Sequence, residues 1–291
     1  MFFAGTHNSF AASDEPGWYF ANQTYPISRQ LQDGIRALLI DVHYGVYDPA
    51  SARVRTDLAA EGSDRNKVAA QVPARALRVA DRVAGGVGLG TLRGTPEPYL
   101  CHTLCELGAE PLGRELEVIR GFLRANPDQL LVLIVEDYVP PSTIQGAFEK
   151  AGLLGYVATF EQGSPLPTLG ELIASGRRLV VFAEEKGGAP SWYMPAFSFI
   201  QDTPLGALHP GQLSCARYRG GQGDPLLLLN HWIPPFPPSV SLNTQIGRAP
   251  FLRARIERCT RERHTQGAIM AVDFYQRTAV VQVARELNES R

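Results

Sequence analysis

The sequence lacks long apolar runs, an excess of charge of either sign, and a leader-like N-terminus. No apolar run among its 291 residues approaches the ~20 residues that span a bilayer. The opening MFFAG has neither the charged part nor the full apolar part of a secretory signal. Lys and Arg total 28 against 29 Asp and Glu, so no strong field attracts nucleic acid. We therefore expect no membrane span and no nucleic-acid partner.

Cysteine is also scarce, with only Cys101, Cys105, Cys215 and Cys259. An even number permits two disulfides, which would imply an oxidising compartment. Four buried thiols or a metal site are the alternatives, although CxxxC around one histidine is not standard zinc-finger spacing. We favour the pairs Cys101–Cys105 and Cys215–Cys259, and with them a secreted, periplasmic or extracellular protein whose signal segment is not in this chain.

Short, continuously apolar runs bounded by turn residues predict buried parallel strands at 36–45, 129–138, 177–185, 225–232 and 267–275. Helical spacing with cap or stop residues predicts helices at 27–34, 111–127, 142–155, 168–176 and 278–288. This alternation indicates an α/β fold with a parallel sheet. Since no linker divides the chain, we predict one (β/α) barrel over 1–291, with an insertion at about 48–98 that contains a helix near 64–84.

Polar residues follow or interrupt these strands, where barrels carry their catalytic groups. A carboxylate inside an apolar strand, as at Asp41 and Glu136, is expensive to bury unless it is paired. Together with Asn8 they would supply three oxygen ligands, which suit Ca²⁺ or Mg²⁺ better than zinc. The alternative to a metal site is that these polar residues only mark strand ends that are exposed to solvent.

Two histidines lie in suggestive places. His7 follows a short apolar segment, and His102 lies inside CHTLC, where a disulfide would hold it rigidly. Two fixed imidazoles that face each other could serve as general base and general acid on a phosphodiester. Each histidine alone is more often a surface or satisfied core residue. His43 shares a strand face with Asp41 and could support it.

The ordered segments GTHNSF, QLQDGIRALLIDVHYG, YLCHTLCELG and LLVLIVEDY resemble the X region of phosphatidylinositol-specific phospholipase C. Two late segments, LLLLNHWIPP and IMAVDFYQRTAVVQVARELN, resemble its secreted bacterial and fungal branch. The likeness covers 48–98 and 186–222 poorly. It implies a distorted (β/α)8 TIM barrel and a two-histidine mechanism that gives a cyclic phosphodiester. His7 matches the base, His102 the acid, and Asp273 the aspartate that supports the base.

The same resemblance implies a calcium-dependent enzyme, because Asn8, Asp41 and Glu136 stand where that branch has its metal ligands. One departure is Leu39, at a position where calcium-dependent relatives carry another acid, so water, His43 or Glu184 would have to complete the shell.

We expect substrate contacts from Arg36, Glu184, Asn230 and Tyr275. Eukaryotic members of the family that this chain resembles grip ring phosphates with lysines near 177–185, where Phe182 and Glu184 stand here, so phosphorylated inositides fit poorly. Phosphatidylinositol or a related phosphodiester fits better, reached by transient contact of a monomer with a membrane surface. Aromatic residues near the mouth could stack on a sugar ring or touch lipid: Trp192, Tyr193, Phe197, Trp232 and Phe236.

Two other functions stay open. A glycerophosphodiesterase or sphingomyelinase-D-like barrel also has an early histidine and acids at a strand end, but it would need an acid where Leu39 stands. A catalytically weak barrel that only binds a head group is the third reading. Analysis of the product separates the first two, and binding without turnover would support the third.

Overall fold

The structure is a computed structural model that describes residues 1–85, 94–234, 237–265 and 267–290. Every apolar run predicted as a buried strand forms one, since continuous Leu, Ile and Val residues suit strands covered on both faces. Within the described ranges the strands are Phe2–Thr6 (β1), Ala37–Asp48 (β2), Arg53–Thr56 (β3), Glu97–Leu100 (β4), Glu110–Pro111 (β5), Leu131–Asp137 (β6), Leu179–Ala183 (β7), Tyr193–Pro195 (β8), Ile200–Asp202 (β9), Leu226–His231 (β10) and Ala268–Val272 (β11).

The predicted helices are confirmed in kind, with shifts at their ends. The helix expected near 64–84 is divided at Val72–Pro73. Proline has no backbone N–H and therefore cannot donate the hydrogen bond that would continue the helix. The helix expected to reach 155 ends at Lys150. The α-helices of the described residues are Ile27–Asp33 (α1), Arg65–Gln71 (α2), Ala74–Ala84 (α3), Leu112–Ala125 (α4), Pro141–Lys150 (α5), Leu169–Ser175 (α6), Val240–Ile246 (α7), Ala249–Arg263 (α8) and Val280–Glu289 (α9).

Eight strands form one curled parallel sheet in the order β8-β7-β6-β2-β1-β11-β10-β9. Chain order therefore follows the circumference, as in a (β/α) barrel, but β8 and β9 do not pair and the barrel is open between them. No α-helix connects β7 to β8, β8 to β9 or β9 to β10, a stretch that the structure describes throughout. The predicted α/β fold, a distorted TIM barrel, is confirmed. The assignment of 1–291 to one domain stays a prediction.

The strands place polar side chains at one end of this barrel. Asp41 on β2 is directly beside Glu136 on β6, and Thr6 at the end of β1 pairs with Val272 on β11. Parallel strands end at the same edge, so the residues that follow β1 and β11 meet beside the carboxylates. Inside the barrel the packing is apolar, with Ile134, Phe182 and Leu228 buried.

The predicted insertion packs against the mouth of the barrel. Strand β2 runs past the barrel edge and pairs there with β3 and β4, both antiparallel. Helices α2 and α3 bury an apolar face against the loop that carries the first disulfide; this face and its partners include Val68, Ala76, Ala80, Leu104 and Leu107. The residues at 86–93, part of the predicted insertion, lie outside the described ranges. No helix in the described part of the chain is long and apolar enough to cross a membrane.

Candidate active site

The chain turns sharply directly after β1, and this turn presents His7. Asn8 adopts a left-handed conformation at φ 43°, which asparagine tolerates better than most residues. The hydroxyl of Thr6 hydrogen-bonds both Ser9 (2.8 Å) and the buried Gln30 (2.7 Å). Gln30 in turn donates to the carbonyl of Ser9. The GTHNSF segment is therefore a braced turn rather than a surface loop.

The ring of His7 is held on two sides. Its Nδ1 lies 2.9 Å from Asp273 Oδ1, and its face stacks on Trp232 with ring centroids 3.8 Å apart and planes 3° from parallel. A carboxylate accepts hydrogen bonds only, so Nδ1 carries the hydrogen. This leaves the Nε2 lone pair of a neutral His7 free to take a proton. Only 16% of the side chain is exposed, which limits competition from water.

A chain of amide groups continues from this aspartate to the second histidine. Asp273 Oδ2 accepts from Asn22 Nδ2 (3.1 Å), and Asn22 Oδ1 accepts from Asn8 Nδ2 (3.2 Å). The amide nitrogen of Asn8 also contacts Nδ1 of His102. Because the carboxylate fixes the first amide, each later group is oriented in turn, and Nδ1 of His102 becomes an acceptor. In this arrangement neutral His102 carries its hydrogen on Nε2.

His102 faces His7 across a narrow gap. Their ring centroids are 6.2 Å apart and their planes stand at 85°. The loop that carries His102 is closed by the Cys101–Cys105 disulfide, with Cα atoms 4.9 Å apart. Packing against the protein, followed by the neighbouring His7 and His43, lowers the pKa of His102. Because 54% of its side chain remains exposed to water, that reduction is limited in extent.

On the other side of His7 is a small acidic cavity of about 120 Å³. Asp41, Glu136 and Glu184 all line it, together with Asn230 and Leu39. Burial, followed by the charges of Glu136 and Glu184, raises the pKa of Asp41 well above its usual range. Burial also raises the pKa of Glu184 to about 7, against the opposing effect of a nearby arginine. Ionisation of Asp41 and Glu184 is therefore costly in this cavity unless a cation offsets it.

In the part of the chain that the structure describes, the cation that lines this cavity is Arg219, and it pairs with Glu184 rather than with Asp41 or Glu136. Arg219 Nη1 lies 2.5 Å from Glu184 Oε2, and its Nη2 lies 2.7 Å from Asp202 Oδ2. Its guanidinium also covers the ring of Phe197 at 4.0 Å. Within the described residues, neither Asp41 nor Glu136 has a lysine or arginine within 4 Å. Among the described residues the basic group near Asp41 is His102, whose Nδ1 lies 4.0 Å from Asp41 Oδ2, so that half of the cavity has no permanent positive charge.

The donor chemistry of the cavity fits a divalent cation. Three carboxylates face one small space, and oxygen is the ligand that Ca²⁺ and Mg²⁺ prefer. As they stand, no three His, Cys, Asp or Glu side chains in the described ranges are close enough together to hold a metal ion. A bound ion would have to draw Asp41, Glu136 and Glu184 inward. Leu39 lines the cavity without a ligand atom, and His43 is bonded to Glu61 instead (3.0 Å).

Most of the predicted site residues lie around His7, and the disulfides are formed as predicted. Cys101–Cys105 and Cys215–Cys259 both close. The residues that the structure brings together are His7, Asn8, Asp41, His102, Glu136, Glu184, Asn230 and Asp273. Asn230 presents its buried side chain between the cavity and Thr203, to whose carbonyl it donates. Their roles stay predictions.

Two predicted substrate contacts are wrong. Arg36 precedes β2, at the end of the barrel opposite the mouth, and its guanidinium donates to the carbonyls of Leu31 and Ile35. Its side chain is thus held at the C-terminal end of α1 and does not reach the site. The hydroxyl of Tyr275 donates to Asp33 at the end of α1 (2.8 Å), because the chain turns outward after Asp273.

Other functional candidates were missed by the sequence reasoning. Asn22 and Arg219 lie in irregular segments, and no local pattern distinguishes them from ordinary loop residues. Trp232 follows an apolar strand and was predicted only as a possible ligand contact, whereas the structure stacks it on His7. Trp192 and Tyr193 belong to the core, and Phe236 lies outside the described residues.

Comparisons with known proteins point to one family. The PI-PLC X family model matches residues 91–288, which include His102 and Asp273 but not His7 or Asp41. A PI-PLC X domain-containing protein 1 of Arthroderma benhamiae is 25% identical over 65% of this chain and 68% of its own length. An uncharacterized secreted protein of the same fungus is 32% identical over 37% of this chain, and a PI-PLC X domain-containing protein of Arabidopsis thaliana is 24% identical over 64%. The chain spans only 26% and 38% of the length of these last two relatives.

Solved structures share the fold at low identity. The phosphatidylinositol-specific phospholipase C from Listeria monocytogenes aligns with a TM-score of 0.50 at 16% identity, covering 98% of this chain and 91% of its own. A mutant of the Staphylococcus aureus enzyme aligns with a TM-score of 0.51 at 12% identity, covering 97% and 90%. At these identities the likeness shows the fold.

Proposed function

The chain belongs to the PI-PLC X family, and from this membership and its paired histidines we propose that it is a phosphodiesterase of the phospholipase C type. Its substrate is phosphatidylinositol or a related phospholipid whose head group carries a hydroxyl next to the phosphate. The observation that carries the proposal is the pair of fixed imidazoles 6.2 Å apart, one of which holds a free Nε2 lone pair. Both rings line one cavity, so a single bound phosphodiester could contact both of them.

The reaction follows from the two rings. Nε2 of His7 takes the proton of the head-group hydroxyl, whose oxygen attacks the phosphorus. The bond from phosphorus to the acylglycerol oxygen breaks, and His102 gives that oxygen a proton. The products are a cyclic phosphodiester and a free acylglycerol. Since the attacking oxygen and the phosphorus belong to one bound molecule, the attack is intramolecular and needs no ordered water.

His102 can act as an acid only when it is protonated, with hydrogen on both ring nitrogens. The amide nitrogen of Asn8 opposes that state, because it presents hydrogen to Nδ1. In the reacting complex, the side chain of Asn8 therefore turns its oxygen toward His102 or moves away. A negative phosphate bound beside both rings would favour the same protonation.

Calcium completes the acidic cavity in this proposal, held by Asp41, Glu136 and Glu184, with magnesium as the alternative. The ion would neutralise charge that develops on the phosphate. The support is the burial of Asp41 beside the carboxylates of Glu136 and Glu184, which together raise the pKa of Asp41. Asn8 was predicted as a further ligand, but it does not line this cavity, so it would bind the ion only after a movement of its side chain.

Substrate and location follow from the surroundings of the site. Leu205, which lines the acidic cavity, and Leu208 are 47% and 72% exposed, so the rim offers apolar contact to a lipid surface. We propose transient binding of a monomer to a membrane there. One relative is described as a secreted protein, and two disulfides suit an oxidising compartment.

Turnover of phosphatidylinositol vesicles, with calcium and with EGTA, tests the proposal when products are followed by phosphorus NMR. We expect a cyclic inositol phosphate that forms only with calcium. A non-cyclic head-group product would contradict intramolecular attack and favour a glycerophosphodiesterase type of reaction. Equal turnover in EGTA would contradict a role for calcium and leave the roles of the two histidines unaffected.

A further inference from the structure

A second cavity adjoins both histidines, and neither Asp41, Glu136 nor Glu184 lines it. It has a volume of about 200 Å³, and both His7 and His102 line it. Most of the remaining wall is apolar, with contributions from Trp18, Phe20, Val72, Ala76, Leu104 and Leu107. We call it the apolar cavity. It exceeds the ~150 Å³ of an engineered apolar cavity that binds benzene.

We propose that the apolar cavity receives the acyl-bearing part of the leaving group, so that the inserted helices α2 and α3 select lipid over polar leaving groups. This inference rests on the proposed function. It extends that function by placing the head group and the leaving group, on either side of the phosphate, in different surroundings. The head group lies toward Asp41 and Glu136, and the acylglycerol lies toward Val72 and Trp18.

The position of His102 sets the direction. This ring lines the apolar cavity and is not among the residues that line the acidic one. The oxygen that receives its proton must lie within hydrogen-bond distance of the ring. The first atoms of the leaving group therefore lie at the mouth of the apolar cavity. His7 lines both cavities, as a group that acts on the hydroxyl between them should.

The walls are built rather than incidental. Gly108 has φ 149°, and a Cβ at that position would lie 2.2 Å from the ring of Trp18. Only glycine therefore lets Trp18 lie flat on this backbone. On the opposite side, Ala76 of α3 is buried in a cluster with Leu104 and Leu107 of the disulfide loop. The same packing that fixes the loop of His102 thus shapes the cavity beside it.

Access comes from the junction between α2 and α3. Val72 and Pro73 interrupt the helix here, and Gln71 and Pro73 are exposed while Val72 is half-buried. An acyl chain can enter along this edge without the removal of a core side chain. The acidic cavity cannot take it, since carboxylates would lose their hydration to hydrocarbon.

The test compares two substrates with the same head group. One is a short-chain phosphatidylinositol below its micelle concentration, and the other is glycerophosphoinositol, whose leaving group is bare glycerol. The measured quantity is kcat/KM for the short-chain phosphatidylinositol divided by kcat/KM for glycerophosphoinositol. Val72→Asp places a charge at the cavity edge, and we expect it to lower the ratio roughly tenfold or more. Val72→Trp fills the space and should lower the ratio as well.

Ala70→Asp is the matched control, because Ala70 is exposed on α2 and does not line the cavity. It should leave the ratio unchanged. If thermal unfolding shows that Val72→Asp has lost its fold, Val72→Trp makes the same comparison by volume. Wild-type turnover with an unchanged ratio in the folded variants would overturn the inference and leave the proposed function intact. Failure of the wild type to cleave either substrate would overturn both.

Discussion

The two sides of the His7 ring differ in how far the protein satisfies its own polar groups. On one side, Asp273, Asn22 and Asn8 form an unbroken series of hydrogen bonds to His102. On the other side, Asp41 has no lysine or arginine within 4 Å in the described residues, and its strongest electrostatic neighbours are other carboxylates.

This difference separates what folding completes from what a ligand must complete. The histidine side is preorganised, so it costs no rearrangement to hold His7 ready as a base. The acidic side retains charge that is expensive without a partner. An external cation would relieve that cost and bind tightly for the same reason.

The largest expected effect comes from the histidine side. His7→Ala and His102→Ala should each lower kcat by about 10²–10⁴, the range that one general acid or base contributes. The measurement is turnover of phosphatidylinositol at saturating substrate, with thermal unfolding as the check on the fold. His209→Ala is the control, because His209 is exposed and lines neither cavity. Near-normal turnover by either histidine variant would contradict the role of that histidine as base or acid.

A smaller effect should appear on the acidic side as stability rather than rate. Calcium at a hundred times its Kd would stabilise the wild type by about 2.7 kcal/mol, and Asp41→Asn should lose most of this. The measurement is Tm with calcium and with EGTA. Asp14→Asn serves as the control, since Asp14 is exposed away from the cavity. If calcium raises the Tm of Asp41→Asn and of the wild type equally, Asp41 is not a ligand.

The smallest effect concerns pH in the absence of metal. The pKa of Glu184 is raised to about 7, so between its ordinary value of 4.5 and 7 the folded state binds a proton that the unfolded state releases. Stability should therefore fall as pH rises through this window, by at most about 1.4 kcal/mol per pH unit. Glu184→Gln should flatten the decline in Tm measured in EGTA.

Glu257→Gln, on the exposed face of α8, should retain the wild-type decline. Addition of calcium should reduce the decline in the wild type, because the ion favours the ionised carboxylate. A stability profile that is flat in the wild type between pH 5 and 7 would contradict the burial of Glu184 as the cause.

Much of the fold could be predicted from sequence because its signals are local. Apolar runs in the sequence predict the buried strands. Asp41 and Glu136 could be identified because a charge inside such a run is costly without a partner. The opening of the barrel could not be predicted in this way. Strands β8 and β9 have three residues each, too few to show a periodicity.

The network behind the histidines was equally hidden. Asn22 is joined to Asp273 across 251 positions of the chain, a contact that only the closed barrel creates. Arg36 and Tyr275 show the reverse error. Arg36 lies five residues before Asp41 and Tyr275 two residues after Asp273, but both side chains bond to α1, so proximity along the chain was misleading.

The dependence of each histidine variant on the leaving group tests the two-histidine account most directly. The measurement compares an inositol phosphodiester of an alkyl alcohol with one of 4-nitrophenol, which departs without needing a proton. We predict that the aryl ester restores much of the rate lost in His102→Ala and little of that lost in His7→Ala. Equal defects of His102→Ala on both esters, or restoration of His7→Ala instead, would contradict the assignment of acid and base.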